Sequence, residues 1–240
     1  MSNLMHKTIL DPTSIHKRIM RTLEGGAQVD LSTESCRRFL KRNLDKRIDV
    51  VVLYADVDGS TRMSMQLSDR QFARIIQVFA QEMSLVITNH EGYVFKYVGD
   101  AVIALFPVRE NAKKACGDAI HCSKTMIEVL EYLNTALKSH GLLPITVKVA
   151  FDYGGVLIVP YGKKTEKSHV DIIGRTISIV AKMLPYAKLT RVIAGQSVYN
   201  VFTHNESKEL FIYSNAEKHG WSYIDERNGY PYKLYSLNLG

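Results

Sequence analysis

The stretch VVLYADVDGST, residues 51–61, constrains the fold more than any other part of the chain. A run of apolar and β-branched residues passes within a few positions into Asp56, Asp58, Gly59, Ser60 and Thr61. Residues of this kind call for burial on a pleated surface, yet the run ends in carboxylates that are costly to bury without a partner. The upstream IDV extends the apolar tract, which is too short before its polar end for a helix. The pattern therefore predicts a β-strand from Arg47 that delivers Asp56 to the edge of a core.

The residues that follow alternate between helix and strand. SDRQFARIIQVFAQEMSLVITNHEG places Phe72, Ile75, Ile76, Phe79, Met83 and Val86 at near-helical spacing and stops at Gly92. YVFKYV and AVIALFPV then read as two strands joined at Gly99 and Asp100. The order repeats with variation: a long helix over 109–139, strands ITVKVAFDYG and VLIVPYG, a short strand HVDIIG, a helix RTISIVAKMLPYA and a strand RVIAG. LFIYSN and YPYKLYSLNL read as closing strands. Such an order predicts an α+β, ferredoxin-like fold, a mainly antiparallel sheet with helices on one face. Residues 1–46 read as an N-terminal helical accessory segment, with Ser32 and Thr33 as possible N-caps and Glu34 in the first turn of STESCRRFLKRNLDKR. Residues 47–240 read as one domain.

Composition narrows the class. With 46% apolar and 23% charged residues in 240, the chain can bury a substantial core. It has no apolar run of the roughly 18–20 residues that cross a bilayer, and MSNLMHKTILDPTSIHK lacks a secretory apolar core, so the cytoplasm is the expected location. Cys36, Cys116 and Cys122 have neither disulfide-set nor metal spacing and read as buried thiols. The net charge of +7 is spread along the chain, which argues against nucleic acid and suits a polyanionic small molecule. The basic cluster GKKTEK at 162–167 reads as a hairpin tip.

Asp56 and Asp58 end one apolar strand, and Asp100 lies in a tight connection between two others. Paired strands can bring such positions together, and carboxylates so placed repel unless a cation lies between them; hard divalent ions with oxygen ligands are the usual solution. Two such ions about 3.5–4 Å apart serve in-line phosphoryl chemistry. Gly59 and Gly99 would let backbone amides approach phosphate oxygens. Taken singly, each aspartate-glycine pair is also an ordinary turn.

VVLYADVDGST and FKYVGDAVIALF resemble the first and second metal motifs of class III nucleotide cyclases, and HVDIIGRTISIVAKM falls where that family keeps its base-reading and transition-state residues. The resemblance covers residues 47–200. It implies a cyclisation in which the ribose 3′-hydroxyl of a nucleoside triphosphate attacks its own α-phosphate and expels pyrophosphate. Asp56, Asp100 and the backbone carbonyl of Val57 would hold two Mg²⁺ or Mn²⁺ ions. The site would form between two head-to-tail domains, so a homodimer is implied. Lys96 and Asp171 match the pair that reads adenine in adenylate cyclases, which permits a conventional cyclic-AMP-forming enzyme.

The departures from the family pattern are informative. Ser178 and Lys182 stand where asparagine and arginine are usual, and serine is shorter while lysine lacks the bidentate fork. That opens an inactive, nucleotide-binding regulatory module as an alternative. Tyr54 replaces a phenylalanine two residues before the first metal aspartate and shares its strand face, which makes it a candidate base or ribose contact. In these respects the chain resembles the stand-alone pyrimidine cyclases of the bacterial antiphage system Pycsar, which make cyclic UMP or cyclic CMP for a separate effector protein. Arg175, Lys163, Lys164 and Arg227 are available for the terminal phosphates.

Overall fold

The computed structural model describes residues 11–26, 31–162, 168–189, 191–225 and 228–239. Lys163, Lys164 and Arg227, together with most of the GKKTEK cluster, lie outside the described residues.

At the centre of the main sheet, β1 (Arg47–Val57) pairs antiparallel with β3 (Ala101–Pro107) on one side and β4 (Val147–Tyr161) on the other. The strand β2 (Tyr93–Val98) lies outside β3, and β5 (His169–Ile173) pairs antiparallel with the far end of β4. Beyond β4 come β6 (Val192–Gly195), which runs parallel to it, then β10 (Leu234–Leu237) and β7 (Phe211–Tyr213). A separate two-stranded ribbon joins β8 (Ile224–Asp225) to β9 (Tyr230–Pro231). The mainly antiparallel α+β architecture follows the expectation.

Helices cover both faces of the sheet rather than one. On the first face, α4 (Asp69–Asn89) and α5 (Ala112–Ser139) share a core with Val51, Leu53, Ala55 and Val57, and α1 (Pro12–Gly25) packs against those two helices. On the second, α6 (Arg175–Met183) packs on β1 and β4 and α2 (Glu34–Lys41) on β2 and β5, in one core with Val50 and Val52. The cause is legible in β1 itself: Val50, Val51, Val52 and Leu53 are all fully buried, and a strand apolar on successive positions needs cover on both sides. Short helices α3 (Ser60–Gln66), α7 (Gln196–Tyr199) and α8 (His204–Leu210) complete the described elements of this type.

Local chemistry sets the boundaries. Ser68 and Gln71 form a reciprocal capping box at the start of α4, whose buried face carries Ile75, Phe79, Met83 and Val86. The segments read as two strands, ITVKVAFDYG and VLIVPYG, form the single strand β4, which runs through Gly154 and Gly155. A Cβ at Gly154 would lie 2.5 Å from Thr176 Oγ1, and one at Gly155 2.6 Å from the Arg47 guanidinium, so these glycines admit neighbours rather than turn the chain. The RTISIVAKMLPYA helix stops at Met183 and continues as a 3-10 turn over Leu184–Leu189, where Pro185 offers no amide hydrogen.

Residues before β1 enter both cores. Ile15, Ile19 and Leu23 of α1 join the first, and Cys36 and Leu40 of α2 join the second. Arg18 Nη2 lies 2.6 Å from Glu82 Oε2 on α4, where the glutamate is 1% exposed. All three cysteines are buried and free, and burial pushes the Cys36 thiol up to about 12. No helix among the described residues is long and apolar enough to cross a membrane.

Candidate active site

Alternation along β1 divides its side chains between the two cores and sends Tyr54 and Asp56 to the second face. Asp56 sits opposite Ala101 on β3 and Lys148 on β4. The β2–β3 turn carries Asp100, and Val57 N–H donates to the Asp100 carbonyl at 3.3 Å, which ties that turn to the end of β1. Gly99 has φ 61° and Gly59 φ 71°, left-handed values that favour glycine, and a Cβ at either would meet nothing within 4 Å. The backbone on both sides of the aspartates is therefore open.

Lys148 Nζ lies 3.1 Å from Asp56 Oδ2 and 3.2 Å from Asp58 Oδ1. Burial raises the Asp56 pKa; the Lys148 contact opposes that shift, while the charge and hydrogen bond of Asp100 add to it. For Lys148, burial works against the charge, but Asp56 and Asp58 outweigh it and raise the pKa. Two carboxylates close enough to repel, with a lysine supplying the compensating charge, form an oxygen-donor set that fits Mg²⁺ or Mn²⁺. No group of three or more His, Cys, Asp or Glu suited to a metal occurs among the described residues, and Asp56 and Asp100 are the paired carboxylates that a cation could share.

The candidate base contacts form a second cluster on the same face. Lys96 and Tyr54 both pair with Ile103, from β2 and β1 respectively, and so lie in one row across the sheet. Lys96 forms an ion pair with Asp171 of β5, and His169 Nε2 stands 3.6 Å from the same carboxylate. Burial first, and then the Asp171 charge, raises the Tyr54 pKa, which places the phenol within the field of that aspartate. Thr33, the N-cap of α2, and Arg37 and Leu40 of that helix join Phe95, Lys96, Tyr97, His169 and Val170 around a cavity of about 330 Å³. The N-terminal segment therefore supplies part of the wall beside Lys96.

On α6, Ile179, Val180 and Met183 are buried, whereas Ser178 and Lys182 are exposed one turn apart. Ser178 Oγ donates to the Gly174 carbonyl at 3.2 Å. Among the described residues, no hydrogen bond or ion pair joins Ser178 or Lys182 to Asp56 or Asp100 within the chain. Arg175 is committed elsewhere: its Nη1 lies 3.0 Å from Asp225 Oδ1. Sequence reasoning passed over Lys148, although a lone lysine inside the apolar strand TVKVAF was a usable signal. The Arg175–Asp225 pair left no local signal.

The sequence model described as the adenylate and guanylate cyclase catalytic domain matches residues 44–219. A uridylate cyclase from Rhodovulum sp. (strain MB263) is 28% identical over 186 residues, which cover 75% of this chain and 76% of that protein. Adenylate cyclase type 10 from Oryctolagus cuniculus is 25% identical over 162 residues, 64% of this chain but only 10% of its own length. A cytidylate cyclase from Escherichia coli is 25% identical over 171 residues, covering 67% of this chain and 37% of that protein. Among solved structures, the adenylyl cyclase CyaB from P. aeruginosa superposes with a TM-score of 0.66 at 18% identity, covering 80% of this chain and 95% of that one.

Proposed function

The chain belongs to the family of adenylate and guanylate cyclase catalytic domains, and on that footing we propose that it converts a pyrimidine nucleoside triphosphate to its 3′,5′-cyclic monophosphate and pyrophosphate. The observation that carries this reading is the junction of Asp56 with Asp100 at one end of the sheet, beside open glycine backbone. Divalent ions held by Asp56, Asp100 and the Val57 carbonyl would lower the pKa of the ribose 3′-hydroxyl and neutralise the triphosphate. The 3′ oxygen forms a bond to the α-phosphorus as the bond to pyrophosphate breaks, and the hydroxyl proton passes to solvent.

The remaining roles follow from position. The backbone at Gly59 and Gly99 leaves room for phosphate oxygens beside the aspartates. Ser178 and Lys182 present a hydroxyl and a positive charge on one exposed stripe, suited to the ribose and the α-phosphate. Because no hydrogen bond or ion pair joins them to Asp56 or Asp100 within one chain, a second copy bringing its α6 to this end of the sheet completes the site, and the working form is a homodimer.

Lys96 donates and Asp171 accepts, a pairing that matches the adjacent acceptor and donor edges of uracil, cytosine and adenine alike. Their mutual ion pair must part to admit a base. Tyr54, beside Asp171, is the candidate discriminator, and the uridylate and cytidylate cyclases among the relatives support a pyrimidine. A cyclic UMP or cyclic CMP product would act as a second messenger on a separate effector protein in antiphage defence, within the cytoplasm. A second reading, a conventional adenylate cyclase, is favoured by the adenylate cyclases among the relatives, and the Lys96–Asp171 pair suits adenine as well. Replacing either metal aspartate tests the assignment: Asp56→Ala and Asp100→Ala abolish turnover with the fold retained, and full turnover in either variant overturns the site.

A further inference from the structure

The helix α6, which carries Ser178 and Lys182, starts without a side-chain cap. Its N-cap is Gly174, at φ 150°, and no acidic residue lies in its first turn. Its first residue is a cation, Arg175, at the end of a helix where positive charge is unfavourable. What holds that start is a group of residues from the far end of the chain. Arg175 Nη1 lies 3.0 Å from Oδ1 of Asp225, a carboxylate only 3% exposed. The guanidinium also sits 5.6 Å from the Tyr223 ring centre and 5.4 Å from that of Tyr232, with the two rings meeting edge to face.

The group is anchored in turn to the sheet. Tyr232 is buried; its hydroxyl donates to Asp152 Oδ2 at 2.5 Å and accepts from Ser197 N–H at 2.9 Å. Asp152 is buried on β4, and its Oδ1 accepts from Tyr153 N–H at 2.9 Å. A rigid path therefore runs from the middle of the sheet through Tyr232 to the Arg175 guanidinium. Along α6, residues 175, 178 and 182 follow one stripe, since three and then four positions return to the same face.

We infer that Arg175 and Asp225 form a clamp that sets the position of α6, and so act as positioning residues that aim Ser178 and Lys182 at the reacting phosphate. The inference rests on the cyclase reading for its catalytic consequence. Neither residue touches the reacting atoms, and the clamp acts by fixing where the helix lies. Geometry of this kind is costly to lose, because misplacement by about 1 Å can reduce rate up to roughly 100-fold.

A kinetic double-mutant cycle between Arg175→Gln and Lys182→Ala tests the clamp, alongside hydrogen exchange at the α6 amides. Arg175→Gln is expected to lower kcat by about tenfold or more with little change in KM. It costs less than about twofold when introduced into Lys182→Ala, because the helix then has little left to aim. Arg175→Lys, which keeps the charge facing Asp225, recovers part of the loss. Equal fold losses in both backgrounds would identify a merely structural residue and overturn the inference, as would an unchanged kcat in Arg175→Gln. Asp225→Asn provides an independent variant with the same expectation. Hydrogen exchange reads the clamp without turnover: exchange at residues 177–183 speeds up in Arg175→Gln if the clamp exists and is unchanged if it does not. A wild-type protein inactive on every triphosphate would contradict the cyclase reading and leave that exchange measurement to decide the clamp.

Discussion

Lys148 stands directly across from Asp56 on the neighbouring strand, with its Nζ 3.1 Å from Oδ2, and reaches Asp58 at 3.2 Å with the same ammonium. One lysine thus balances two carboxylates at the end of β1, while Asp100 adds a third negative group beside Asp56. Removing the lysine leaves partly buried charges without compensation. Lys148→Ala is expected to lose about 1–3 kcal/mol of stability in a divalent-free thermal or urea melt. Added Mn²⁺ restores more stability to this variant than it adds to the wild type, because the ion takes over the compensating charge. Equal Mn²⁺ stabilisation of both proteins would contradict this account of the site.

The lack of any hydrogen bond or ion pair from Ser178 or Lys182 to Asp56 or Asp100 predicts complementation between two impaired proteins. Mixing Asp56→Ala with Lys182→Ala, under conditions that let chains exchange, yields mixed dimers with one intact site and one doubly altered site. Random exchange restores roughly a quarter of wild-type activity. Activity no greater than the sum of the separate variants would place all four residues in a site within one chain.

Asp152 makes the stability of the fold depend on pH in an unusual direction. Burial, opposed by hydrogen bonds from Tyr232 and from backbone amides, raises its pKa to about 6. Its folded value lies above that of the unfolded chain, so the native state favours the neutral carboxyl. The advantage is fully present below the unfolded value near 4 and is lost as pH rises through about 6. Relative to Asp152→Asn, the wild type should lose about 3 kcal/mol between pH 4 and pH 7, an order-of-magnitude figure set by the shift of about two units. Urea melts of both proteins across that range measure the difference. A wild type that gains stability relative to the variant over the same interval would refute the sign.

Gly195 lies against the same carboxylate. A Cβ there would lie no more than 2.5 Å from the Asp152 carboxyl atoms, and Asp152 is itself pinned by Tyr232. Gly195→Ala is expected to cost about 1–3 kcal/mol through overpacking. Chemical denaturation measures it, and a cost below about 0.5 kcal/mol would show that Asp152 can give way.

Much of this site was legible in the sequence because its signals are local. The apolar run ending in Asp56 and the turn holding Asp100 each advertise a strand end, and β1 pairs with β3 so that Asp56 lies opposite Ala101, next to Asp100. The same period of two put Tyr54 on the face of Asp56. What was hidden depends on partners distant in the chain. Gly154 and Gly155 look like a strand break until Thr176 and Arg47 are seen to fill the space of their missing side chains. Asp225 is an ordinary acidic residue in a tyrosine-rich tail until the fold lays it against Arg175. Helices on both faces could have been inferred, because four successive buried residues in β1 leave no face for solvent.

Identification of products by mass decides whether this cyclase acts on a pyrimidine nucleotide. Purified protein is incubated with Mn²⁺ and equimolar ATP, GTP, CTP and UTP. The account predicts cyclic UMP or cyclic CMP as the dominant product, with pyrophosphate released in equal amount and none formed by Asp56→Ala. Cyclic AMP as the dominant product would contradict the pyrimidine assignment, and no cyclic product from any of the four would contradict the enzyme itself.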